Sequence, residues 1–163
     1  MAKLNSLDDL FLHTLKDILY AEKQALKAMG KMSKQASSEK LKEAIEGHRE
    51  QSQTQIERLE QVFEMIDKTP RGAKCEAILG IIEEAEELME DAQEDEVRDA
   101  AIIAAQQAVE HYEIARYGTL CAYAKQLGHD KAAELLHETL KEEEATDKAM
   151  TKLAKSSINR QAA

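Results

Sequence analysis

The chain has 163 residues, and 32 Asp and Glu against 22 Lys and Arg leave a net charge of −10. A hydrophobic fraction of 43% argues against disorder, no apolar run approaches the roughly 20 residues of a membrane-spanning helix, and the N-terminus carries acids where a signal peptide would be apolar. Lys and Arg nowhere cluster apart from acids, which argues against nucleic-acid binding, and two cysteines without CxxC spacing fit a reducing, cytoplasmic setting.

With one Pro and six Gly, and with Ala, Leu, Glu, Lys and Gln dominating between them, the chain reads as all-α. Ser6 is placed to cap helix 1, from about Ser6 to Lys34, and Ser38 to cap helix 2, from about Glu39 to Lys68. Thr69-Pro70-Arg71-Gly72 is the strongest break. A shorter helix 3 follows from about Lys74 to Gln93, then helix 4 from about Glu96 to Leu127 behind an Asp95 cap, and helix 5 from about Lys131 to Ala154 behind an Asp130 cap. Gly128 sits where a left-handed C-terminal cap belongs, so helices 4 and 5 should form an antiparallel pair joined by a tight turn.

The stretch from Thr69 to Asp95 is too long for a turn and is itself mostly helical, so it can carry the chain back along the bundle. The expected topology is then a ferritin-like four-helix bundle with a short extra helix in the crossover between helices 2 and 4. Residues 1–155 form this single bundle in the sequence reading, and 156–163 a frayed tail.

The apolar stripes of the four long helices are each interrupted by acids. Helix 1 runs Phe11, Leu15, Ile18, Glu22, Ala25, Met29; helix 2 runs Ile45, Arg49 or Glu50, Gln53, Ile56, Leu59, Phe63. Helix 4 carries Glu110 on its stripe with Glu113 beside it, and helix 5 carries Glu143 and Asp147. One inward Glu has a plain explanation, since a side chain at a stripe edge can reach solvent or an Arg. Four together need cations, because an unpartnered buried carboxylate costs several kcal/mol or takes up a proton. The nearby arginines are only Arg49, Arg58 and Arg116. Two metal ions held by Glu22, Glu50, Glu110 and Glu143, with Glu113 and Asp147 as further oxygens and Gln53 as a weak ligand or supporting donor, would balance the charge. Surface imidazole is the reading for His13, His48, His111, His129 and His137, core or interface packing for Tyr112, Tyr117, Tyr123 and the methionines, and a solvated face for the acidic run Ile82 to Asp91.

The segments LYAEKQAL, EQSQTQIERLEQV, EVRDAAIIAAQQAVEHYEIARYGTL and LHETLKEEEATDKAMTKLA resemble the YciF/YciE-type ferritin-like family of bacterial stress-associated proteins, the YciF branch most closely. The resemblance spans almost the whole chain, with EHYEIARYGTL as its most specific piece. It implies a five-helix ferritin-like fold, a homodimer and a dinuclear metal centre. Glu22 then stands at the helix 1 glutamate and Glu110 at the ligand of the third long helix. Two positions depart from the Glu-x-x-His pattern of such centres, because Glu50 is followed by Gln53 and Glu143 by Thr146. Without those histidines an all-oxygen site would suit Mg, Ca or Mn better than Fe. The other reading is a non-enzymatic dimeric structural or stress protein with a degenerate site.

Overall fold

In the computed structural model, which describes residues 4–163, the chain runs α1 (Leu7–Gln35), α2 (Glu39–Met65), α3 (Glu76–Asp91), α4 (Asp95–Gln126) and α5 (Asp130–Leu153). Residues 1–3 of the expected bundle range lie outside the described residues. Ser6 accepts from the amide of Asp9 and Ser38 from that of Leu41, so both serines cap as their hydroxyls allow. Asp95 and Asp130 instead open their helices one position inside the cap, behind Glu94 and His129, which make no side-chain cap bond. Gly128 has φ 76°, the left-handed value that turns α4 into α5 within three residues.

The four long helices form a ring in which α1 packs on α2 and α4, and α5 packs on α4 and α2. Helix α3 lies outside the ring against α1 and α4. The crossover leading to it is tied to α1 by the amide of Ala73, which donates to the carbonyl of Lys16. A Cβ at Gly72 would meet the Tyr20 backbone at 3.2 Å, so glycine lets the connection cross α1 closely.

Asp99, in the second turn of α4, shows which way that helix runs. Its carboxylate is buried and accepts from the amides of Ser37 and Ser38 and from the Ser37 hydroxyl at 2.7–2.9 Å. Helix α4 therefore starts beside the start of α2, and the chain follows the up, down, crossover, down, up course of a ferritin-like bundle. Those three bonds to one carboxylate satisfy donors at the N-terminus of α2, where negative charge is also favoured by the helix dipole. Asp99→Ala is expected to cost about 2–3 kcal/mol and to lower Tm by roughly 5–10 °C in thermal melts, with Asp99→Asn intermediate.

The tail differs from its expected frayed state. Ala154–Ile158 is a turn of π-helix and Asn159–Ala162 a final α-helical turn, α6, both against α4. Ile158 is buried because Met150, Ala154 and Ile158 continue the α5 stripe in steps of four, which the wider π turn keeps on one face.

Two apolar clusters fill the bundle. One contains Phe11, Leu15, Leu59, Phe63 and Leu120, and the other Met29, Met32, Leu41, Ile45 and Ile102. Between them lies a polar layer.

Candidate metal centre

Each long helix contributes to that layer at the level where its apolar stripe breaks. Glu22 comes from α1, His48, Ser52 and Gln55 from α2, Gln106, Glu110 and Glu113 from α4, and Glu143 from α5; all are at most 2% exposed. His48 Nδ1 lies 2.9 Å from Glu110 Oε1, and Nε2 lies 3.3 Å from Glu143 Oε1. One donor atom from each of these three residues falls within 4.8 Å of the others, the spacing of ligands around one cation. Gln106 donates to Glu110 at 2.6 Å, and the Tyr117 hydroxyl donates to Glu22.

Charge is not balanced by this arrangement. Burial, helped by the charge of Glu143, pushes Glu22 up to about 8 against the pull of the Tyr117 hydroxyl. Burial and the nearby Glu143 push Glu110 to about 8 as well, and burial with the charges of Glu22, Glu143 and Glu110 raises Glu113 well above the ordinary range. Burial works against the charge of His48, but its bonds to Glu110 and Glu143 prevail and raise it to about 10. Glu143 is held low despite burial by Glu110 and His48, so Glu110 and Glu143 share negative charge against the His48 ring between them. Protons on the remaining acids therefore stand where cations would otherwise neutralise them. Five carboxylate oxygens of the layer have no hydrogen-bond partner among the described residues: one each on Glu22, Glu110 and Glu143, and both on Glu113. The arginines lie elsewhere, Arg49 on Glu46, Arg58 on Glu142 and Arg116 beside Asp17. Buried, unpartnered carboxylate oxygens together with one imidazole are a fitting donor set for a divalent transition metal.

Comparison with known proteins is decisive on kinship. A family described as "Domain of unknown function (DUF892)" matches residues 6–163, and the chain is 49% identical over 160 residues to Protein YciF of Escherichia coli K12, covering 98% of this chain and 96% of that one. The chain belongs to the DUF892 family. Among solved structures, the E. coli stress protein YciF superposes with a TM-score of 0.91 at 49% identity, covering 96% of this chain and 99% of that one. YcfI from Rhodopseudomonas palustris gives a TM-score of 0.90 at 47% identity, covering 91% and 95% of the two chains. A Xanthomonas campestris protein at 22% identity and a TM-score of 0.74 shares the fold.

Within this DUF892 chain, Glu22, Glu110, Glu113 and Glu143 converge as their stripes require. Glu50 and Gln53 do not, because both are exposed on the outer face of α2. The buried line of α2 is Ile45, His48, Ser52, Gln55 and Ile56, so His48, expected on the surface, is the histidine of the centre. Its signal was the spacing: three residues from Ile45 and four from Ser52, which is itself four before Ile56. Asp147 is turned into the α4–α5 seam, where Gln107 donates to it at 2.9 Å and His111 lies at 3.1 Å. Tyr117 is buried as expected of core packing, yet its hydroxyl belongs to the polar layer. Cys75 caps α3 and contacts Tyr112 at 3.0 Å, while burial pushes its thiol up and leaves it a poor nucleophile.

Proposed function

We propose that the polar layer is a metal-binding centre for one or two divalent transition-metal ions, Fe(II) or Mn(II), held first by His48, Glu110 and Glu143 and completed by Glu22 and Glu113. The observation that carries this reading is the set of buried, partnerless carboxylate oxygens converging from α1, α4 and α5 on the histidine of α2. Three carboxylates in excess of the one ion pair ask for positive charge; the imidazole nitrogen favours Fe over the Mg or Ca of an all-oxygen site, and the carboxylate majority also admits Mn. Such an ion would supply redox or Lewis-acid chemistry at a position left open by the protein. The chain's own residues exclude bulk water from it and hold the protons that leave as it binds. By analogy with its stress-protein relative, the centre serves metal handling or peroxide disposal in a bacterial stress response, in a cytoplasmic homodimer.

Elemental analysis of protein purified without chelator, followed by anaerobic Fe(II) and Mn(II) titration, tests it. Stoichiometric binding that Glu22→Ala with Glu110→Ala abolishes is the expected result. Failure of any of these ions to bind, or binding indifferent to the double substitution, would overturn it.

A second reading has its own observation. Both ring nitrogens of His48 sit on carboxylates, as an imidazolium standing permanently in place of a metal would. In that case the protein is a helical module of the structural kind ascribed to the Rhodopseudomonas relative, and the same titration returns no binding.

A further inference from the structure

The centre is buried, so a cation needs a way in. We propose that the groove between α2 and α5 floored by His48 is the route by which hydrated divalent cations reach the centre, an inference that rests on the metal-binding reading.

The groove has a volume of about 400 Å³ and is lined by Glu43, Gly47, Gln51, Thr146 and Ala149 around His48, among others. Its rim residues Glu43, Gly47, Gln51 and Ala149 are exposed, whereas His48 at its floor is 2% exposed. A path therefore runs from solvent to one of the three converging side chains. Among the described residues no Lys or Arg lines the groove, and Glu43 supplies a negative charge at the mouth, the sign that concentrates cations. A larger cavity of about 660 Å³, between Lys125 and Lys141, touches none of the centre's residues.

The α1–α4 and α4–α5 seams beside the layer are bridged by side chains. Tyr112 and Tyr117 of α4 donate to Asp17 and Glu22 of α1. Gln107 bridges α4 to Asp147 and Thr151 of α5. Further along the α2–α5 seam itself, Arg58 grips Glu142 with two bonds of 2.7 and 2.8 Å, and Gln55 adds a third. Above the His48–Glu143 contact at its floor, the open stretch is spanned among the described residues by a 3.4 Å bond from Thr146 to Gln51, weak enough to part.

Gly47 fits this role. A glycine within a helix costs about 1 kcal/mol relative to alanine. Here no positive φ and no close neighbour calls for it: among described residues the positive-φ positions are Asp67 and Gly128, and a Cβ at Gly47 would meet nothing within 4 Å. What the missing side chain leaves is open groove above His48.

The test is stopped-flow uptake of Co(II) by metal-free protein, read from the visible absorption of the bound ion, in Gly47→Leu, Ala149→Leu and the double variant. Gly80→Leu is the control, since Gly80 is also a helical glycine with open space around it, on α3. Leu on either wall should slow uptake, about tenfold or more in the double variant, with unchanged final stoichiometry and an unchanged rate in the control. Normal stoichiometry reached at an unchanged rate in the double variant overturns the route and leaves the binding reading standing. No uptake by the unsubstituted protein overturns the binding reading and the route together.

Discussion

Metal-free protein should lose stability as pH rises from 6 to 9, and a bound divalent ion should remove that loss. The folded-state values of Glu22 and Glu110, about 8, stand above the unfolded value near 4.5. Between those limits the native state holds more protons than the unfolded chain, so raising pH favours unfolding. His48 acts in the same direction: its contribution is complete below its ordinary value of 6.5 and is lost as pH climbs through about 10. Glu142, lowered by Arg58, works in a different window, since its contribution is present above 4.5 and is lost as acid takes the pH through its depressed value. Across pH 6–9 the loss should be on the order of a few kcal/mol, or roughly 5–10 °C in Tm with chelator present. A flat or rising profile would mean that the layer's carboxyls titrate as exposed ones do. Because the metal replaces their protons, its affinity should rise over the same range, with release of about two protons per ion visible as a buffer-dependent binding enthalpy.

The second large effect is a contrast between neighbours. His48→Ala removes the one cation paired with these acids among the described residues and should destabilise metal-free protein by about 3–5 kcal/mol, as expected when one partner of a buried pair is deleted. Glu113→Leu removes two unpartnered buried oxygens at similar volume, and should stabilise the same protein by on the order of 1–4 kcal/mol. Both should weaken metal binding. Chemical denaturation with chelator, paired with titration of each variant, separates the effects, and a Glu113→Leu protein less stable than its parent would show that Glu113 has a partner in the fold. A site whose removal strengthens the empty protein is one retained for what it binds.

Much of this was legible in the residues. Glu22, Glu110, Glu113 and Glu143 stand out because each interrupts a stripe with apolar neighbours three or four positions away, which fixes the helix face. The crossover was legible from Pro70, Gly72 and the length of the segment they open. On α2 the inward face is unmarked for a physical reason: between Ile45 and Ile56 there is no apolar side chain, and two lines of polar residues compete. Glu50 and Gln53 attract attention through their chemistry, while His48, Ser52 and Gln55 are the ones that packing turns inward. The order of the tail is not legible in the sequence, because its last apolar residue, Ile158, follows a run of Lys and Ser, and its burial depends on a π turn that no sequence period announces.

The division of the interior into two apolar clusters bears on how the molecule opens. The same four rods, α1, α2, α4 and α5, thread two separate oily compartments, and proton-bearing side chains form the partition between them. Leu26 and Ile82 pack against both compartments at their edge, and elsewhere the partition keeps their dispersion contacts apart, so each can loosen with little loss of contacts in its twin. An ion gripping three rods at the partition would fasten the two compartments into one cooperative unit, and amide exchange would pass from two rates to one.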